Sequence, residues 1–255
     1  MSLLEIADLT QRFGGLTALS DFSLRLEESE LAGIIGPNGA GKTTVFNLIT
    51  GVYRPTRGSI AFEGKRIDGL APNRITSLGV ARTFQNIRLF KELSVLDNVR
   101  CAHYRHGAYG VLPAVFRLGR FRKEEAEIID SSMELLALFH LDGYAREAAR
   151  NLPYGLQRRL EIARALATRP RLLLLDEPAA GMNPAEVTRL MELIGWVRKA
   201  FDVTILLIEH QMRLVMNICE RLTVLDFGAT IAEGKPEAIR ADRRVLAAYL
   251  GEEEA

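Results

Sequence analysis

The segment "LAGIIGPNGAGKTTVFNLIT", residues 31–50, limits the possible folds more than any other. Residues 31–35 are apolar or glycine and read as a buried strand. The residues after Lys42 carry the pattern of a helix. Between them, "GPNGAGKT" at 36–43 matches G-x-x-x-x-G-K-[ST]. A strand, a glycine-rich turn and a helix in that order place the backbone N–H groups of Asn38 to Thr43 at a helix N-terminus, where dipole and first-turn donors favour a phosphate. Lys42 adds a point charge for the β- and γ-phosphates, and Thr43 a hydroxyl for Mg²⁺. The segment predicts a nucleoside triphosphate site built from Gly36, Pro37, Asn38, Gly39, Ala40, Gly41, Lys42, Thr43 and Thr44.

The rest of the chain supplies a sheet for that loop. Before it, "LLEIADL" and "FSLRLEE" read as strands, with turns at Gly14-Gly15 and around Glu28-Ser29. "GSIAF" at 58–62 and "VARTF" at 80–84 are further strand candidates. From about 86 to 168 the strand signal vanishes: a helix "VLDNVRCAHYRH", an irregular loop "GAYGVLPAVFRLGR" and a helix "KEEAEIIDSSMELLALF". The stretch "NLPYGLQRRLEIARAL", 151–166, then opens a third helix. Leu156, Leu160, Ala163 and Ala167 form its apolar stripe, with the arginine pair and Glu161 off it. Alternation resumes at 171 with strand "RLLLLD", helix 184–200, strand "VTILLIE", helix 211–218, and strands "RLTVLD" and "ATIAEG". Apolar strands alternating with helices predict an α/β fold whose parallel sheet is covered on both faces, interrupted by an inserted helical lobe.

Two strand ends carry chemistry. In "RLLLLDEP", Asp176 emerges at the carboxyl end of an apolar strand, where ligands bind in open α/β sheets, and suits a Mg²⁺ contact. Glu177 can orient or deprotonate an attacking water. Gln85 ends "ARTFQ" and His210 follows "TILLIE"; an imidazole there can sense a γ-phosphate. His103, His106 and His140 have no evident partners and read as surface.

Composition narrows the function. The 255 residues suit one large α/β domain or a main domain with a smaller lobe. A net charge of +1 from 33 basic and 32 acidic residues gives no general attraction to nucleic acid. Glu5 and Asp8 interrupt any apolar leader, and no apolar run is long enough to cross a bilayer. The isolated Cys101 and Cys219 have no metal-type spacing, and the chain is expected to work inside the cell.

In order and spacing these parts resemble the ATP-binding cassette (ABC) ATPases over nearly the whole chain. The resemblance aligns Phe13 with the aromatic residue that stacks on adenine, and residues 36–44 with the phosphate loop. It aligns Gln85 with the glutamine loop, where it would touch the metal with Thr43 and Asp176, and His210 with the histidine switch. Glu177 would be the catalytic base. Gly181 and Asn183 of "AAGMNP" would lie in a loop at a dimer interface. Pro153, Tyr154, Gly155, Leu156 and Gln157 match the signature segment, which in this family caps ATP held by a partner subunit. The familiar "LSGGQ" is here "LPYGLQ": Pro153 replaces serine and Tyr154 the first glycine, and proline removes a hydroxyl and a backbone donor.

"YGLQRRLEIARAL", "LLIEHQMRLVM" and the terminal "YLGEE" resemble the ATP-binding subunits of bacterial branched-chain amino acid importers. The resemblance implies a single cassette domain over 1–255: a phosphate-loop NTPase core with an antiparallel β lobe (1–85 and 169–240), a helical signature lobe (86–168) and a tail (241–255). ATP and Mg²⁺ would be its cofactors. Its partners would be membrane permeases, a sister ATPase or second copy, and indirectly an extracytoplasmic solute-binding protein; nucleic acid is not among them. It would sit peripherally on the cytoplasmic face of the inner membrane. The exposed loop with Arg117, Arg120 and Arg122 would face the permease or lipid headgroups, or be a solvated linker. Importers of other small solutes, and cassette ATPases that drive soluble machines, are the alternatives. A GTPase is disfavoured because no N-K-x-D motif occurs.

Overall fold

The structure is a computed structural model and describes residues 2–104 and 119–250. Most of the expected 107–120 loop, His106 and the final residues 251–255 lie outside the described residues; 119 and 120 belong to a helix. The chain runs β1 (Ser2–Phe13), β2 (Leu16–Glu27), β3 (Leu31–Ile35), α1 (Lys42–Ile49), β4 (Arg57–Phe62), β5 (Lys65–Arg66), α2 (Pro72–Ser77) and β6 (Val80–Arg82). Helices α3 (Val95–His103), α4 (Gly119–Leu138) and α5 (Tyr154–Leu166) follow. Then come β7 (Leu172–Asp176), α6 (Pro184–Ala200), β8 (Thr204–Ile208), α7 (Met212–Ile218), β9 (Arg221–Asp226), β10 (Ala229–Gly234), α8 (Pro236–Ala241) and α9 (Arg243–Leu250). Residues 1–85 with 171–255 form one compact unit, and residues 86–170 a second.

The first unit holds two sheets. One is antiparallel, in the order β2-β1-β4-β5; the other runs β10-β9-β3-β8-β7-β6, with all neighbours parallel except the β9–β10 pair. Strands β3, β7 and β8 are buried at every position, as central strands covered on both faces must be. The β1–β2 hairpin is longer than its sequence pattern suggests. Asp8 has φ 48°, and the pairing register shifts between Ile6 and Leu9, so the alternation of side chains breaks mid-strand. Helix α1 puts Val45, Phe46, Leu48 and Ile49 into one core with Phe22 and Leu26 of β2, Ile60 and Phe62 of β4, and Leu174 and Ile208 of the parallel sheet. Each such burial is worth about 1.5–3 kcal/mol, so the core fixes where the loop before α1 sits.

Parallel register fixes the site. Ile34 of β3 pairs with Ile208 of β8, which pairs in turn with Asp176 of β7. The three strands therefore end level, and Gly36, Glu177 and Glu209 begin their loops on one edge of the sheet.

In the second unit α3, α4 and α5 pack around Val95, Val99, Leu136, Phe139, Leu141, Leu160 and Ala163. Ser94 caps α3 by accepting the Asp97 N–H at 2.9 Å. One sequence expectation fails here: His103 is buried rather than on the surface. Arg158 and Glu161, off the apolar stripe of α5, are buried as well and paired at 2.6 Å. An ion pair at i and i+3 neutralises itself, so a helix face can go into the core without being apolar.

Candidate nucleotide site

The loop after β3 needs its glycines. A Cβ on Gly36 would lie 2.0 Å from the Leu225 carbonyl oxygen, and one on Gly41 2.6 Å from that of Ala18. Gly41 also has φ 102° as the N-cap of α1, a left-handed conformation that costs glycine little. No side chain caps this helix end. The N–H groups of Thr43 and Thr44 are in the first turn, where no helical carbonyl precedes them. The Ala40 N–H donates to the Pro37 carbonyl at 3.2 Å and shapes the turn. Lys42 is buried, its Nζ donating to the Gly36 and Pro37 carbonyls at 2.6 and 2.7 Å, so its charge lies inside the loop. Beside the loop, Pro37 to Ala40, Asp226, Phe227 and α9 border a cavity of about 580 Å³. Phe13 is 41% exposed and meets Tyr53 edge-on at 5.1 Å, an aromatic partner the sequence did not disclose.

The sheet edge brings Gln85, Glu177 and His210 together. Gln85 Nε2 donates to Glu177 Oε2 at 2.7 Å, and His210 Nδ1 is 3.5 Å from the same oxygen. Glu177 has φ 43°, and its N–H donates to the Ile208 carbonyl at 2.9 Å. A non-glycine residue held in that region costs of order 1–3 kcal/mol, and the strain aims the side chain at Gln85 and His210. A carboxylate between an amide donor and an imidazole is placed to accept a proton from water.

Glu209 is a site residue that the sequence reading missed. It is fully buried and accepts the N–H groups of Ala179, His210 and Gln211 at 2.8, 3.1 and 3.2 Å. Gln211 Nε2 adds a bond to the Ala179 carbonyl at 3.2 Å. Burial pushes the Glu209 carboxyl up, against the N–H bonds and His210. The group ties the loop after Glu177 to the backbone of His210. The only signal in the sequence is an acid closing an otherwise apolar strand.

Asp176 is not alone either. It is buried with its Oδ2 2.6 Å from the Arg82 guanidinium of β6. Among the described residues no group of three or more His, Cys, Asp or Glu is placed to hold a metal by itself.

The 151–166 stretch lies in the second unit. Pro153 is the N-cap of α5 and no side chain caps it; its carbonyl accepts from Leu156 and Gln157 N–H at 2.9 and 3.0 Å. Tyr154 is exposed, and its hydroxyl accepts from Arg158 at 3.2 Å. Gln157 Nε2 donates to the Leu152 carbonyl at 2.8 Å. A Cβ on Gly155 would meet nothing within 4 Å, so open space lies above it. Glu161 accepts the Arg88 N–H at 3.2 Å as well as Arg158, and joins α5 to the segment that precedes α3. Gly181, with φ 76°, and Asn183 return to the first unit, where Asn183 and Glu186 form a capping box for α6.

Comparison with known proteins follows that geometry. Residues 19–180 match the family model described as ABC transporter, and residues 229–255 match one described as branched-chain amino acid ATP-binding cassette transporter. The chain is 48% identical over 250 residues to the high-affinity branched-chain amino acid transport ATP-binding protein BraF of Pseudomonas aeruginosa, covering 98% of each. It is 46% identical over 250 residues, again 98% of each, to the corresponding protein LivG of Escherichia coli. The crystal structure of the ADP conformation of an ATP-binding cassette of an ABC transporter superposes with TM-score 0.85 at 31% identity, covering 98% of this chain and 99% of that one. The chain therefore belongs to the ABC transporter family, as a nucleotide-binding ATPase subunit.

Proposed function

We propose that this protein is the ATP-hydrolysing subunit of an importer for branched-chain amino acids, attached to the cytoplasmic face of the plasma membrane. The observation that carries the substrate is the 46–48% identity to BraF and LivG along 98% of the chain. Among the described residues no helix is long and apolar enough to cross a membrane, so a permease would supply the path.

The site residues divide the work. Lys42 and the 36–44 backbone hold the phosphates, and Phe13 stacks on adenine. Thr43, Gln85 and Asp176 are oxygen donors with one carboxylate among them. That set fits Mg²⁺, which keeps water and binds through few carboxylates plus substrate phosphates. When bound, Mg²⁺ supplies charge that offsets the β- and γ-oxygens. Glu177 takes the proton of the attacking water while Gln85 holds its carboxylate, and His210 donates toward the γ-phosphate. The first-turn N–H groups at Tyr154 and Gly155 cap ATP held by a second cassette subunit, a copy or a sister, and Gly181 and Asn183 face that subunit. Pro153 brings no N–H donor, so the cap rests on the residues after it. Closing the pair on ATP and reopening it after hydrolysis drives the permease.

Purification of the tagged protein from its own cells in mild detergent with ATP tests this reading. The expected companions are two polytopic permeases and a second cassette ATPase. A soluble partner alone would contradict transport.

A further inference from the structure

We propose that Arg82 is a positioning residue: its guanidinium holds Asp176 so that the carboxylate meets the metal through its other oxygen and at reduced charge. The proposal rests on the reading of Asp176 as a metal contact.

The geometry is specific. Arg82 and Asp176 are 6% and 5% exposed at their side chains, and the Asp176 contact is to Oδ2 alone. The other terminal nitrogen of Arg82 donates to Asn47 Oδ1 at 2.8 Å and Thr50 Oγ1 at 3.2 Å, both near the carboxyl end of α1. The guanidinium lies over the rings of Phe46 and Phe84, 5.5 and 4.9 Å from their centroids. Arg82 pairs in register with Leu174 of β7, two residues before Asp176, and the Thr83 N–H continues that pairing to the Leu174 carbonyl at 2.9 Å. A planar fork held at three points cannot rotate away as a lysine ammonium could.

Two consequences follow, and they have opposite signs. The cation beside Asp176 offsets its charge, and removing the cation strengthens the pull of the carboxylate on a divalent ion. The clamp also fixes which oxygen faces the phosphates, and losing it leaves the carboxylate free to turn. Tighter metal binding with slower turnover is thus the mark of a positioning role. A pair that serves packing alone would lose stability and turnover together and leave metal affinity where it was.

The test is a Mn²⁺ titration by electron paramagnetic resonance on the full chain saturated with ADP, together with steady-state ATPase and thermal melting. Arg82→Gln keeps an amide donor to Asp176 and removes the charge. It is expected to tighten Mn²⁺ about tenfold while kcat falls and KM for ATP stays. Arg82→Lys keeps the charge without the fork; it is expected to hold Mn²⁺ affinity within about twofold of the parent and still lower kcat. Unchanged or weaker Mn²⁺ binding in a folded Arg82→Gln protein would overturn the proposal. If that variant does not fold, full turnover in Arg82→Lys would overturn it, as would reduced turnover with a lowered melting temperature; reduced turnover at parental affinity and parental melting temperature would support it. Asp176→Asn separates the two readings: if it leaves Mn²⁺ affinity unchanged, Asp176 is not a metal contact and the underlying assignment fails.

Discussion

The four helices of eight residues or more whose N-caps are described fall into two pairs. Helices α3 and α6 close their amino ends with their own side chains, Ser94 in one and the Asn183–Glu186 capping box in the other. Helices α1 and α5 do not; Gly41 and Pro153 stand at their caps with no side-chain acceptor. A cap is worth about 1 kcal/mol, so leaving it out costs stability unless another group takes the N–H donors. In both uncapped cases the surroundings hold the helix start by other means. Around α1 these are close backbone contacts at Gly36 and Gly41; around α5 they are the buried Arg158–Glu161 pair and the Tyr154 hydroxyl. Of these four ends, the two proposed to meet phosphate are the two that no side chain closes.

The largest effect expected is at the α1 site. Glu177→Gln should lower ATP hydrolysis between about a hundred- and ten-thousand-fold, the range of a general base, with nucleotide binding retained. Single-turnover assays beside fluorescent-nucleotide titration would show it; hydrolysis near the parental rate would remove Glu177 from that role.

Next comes the support of α5. Arg158→Met removes the cation paired with the buried Glu161 carboxylate, and urea denaturation should register a loss of about 3–5 kcal/mol. Adding Glu161→Leu should recover most of it. A loss under about 1 kcal/mol in the single variant would mean that the pair does not hold the helix start.

The smallest effects sharpen the contrast between the ends. Ser94→Ala and Asn183→Ala should each cost about 1 kcal/mol of stability. Gly155→Ala should cost less than about 0.5 kcal/mol, because its Cβ enters open space. Equal losses at all three positions would erase the distinction drawn here.

The legible parts of the molecule are those where a local pattern fixes local structure. The phosphate loop, the "LLLLD" strand and the helix starting at 154 each carry their reason within a few residues. Parallel register then brings Gly36, Glu177 and His210 to one edge. What stayed hidden depends on neighbours distant in sequence. Arg82 carries no signal of its own within the strand candidate "VARTF" until Asp176, 94 residues on, is placed beside it. Arg158 and Glu161 fall off the apolar stripe of their helix and His103 shows no partner in the sequence, so only the fold reveals that all three are buried and that the first two pair. Tyr53 reaches Phe13 only once the antiparallel sheet has formed.

The most direct test of the account is ATP affinity beside ATPase rate in Gly155→Asp. A negative charge at the open end of α5 should abolish the capping of a γ-phosphate, and this account assigns that phosphate to another subunit. The expected result is ATP affinity of the isolated chain equal to the parent's, with hydrolysis lost. A parallel fall in affinity would place α5 at the chain's own nucleotide, and unimpaired hydrolysis would place it at none; either contradicts the division of the site between subunits.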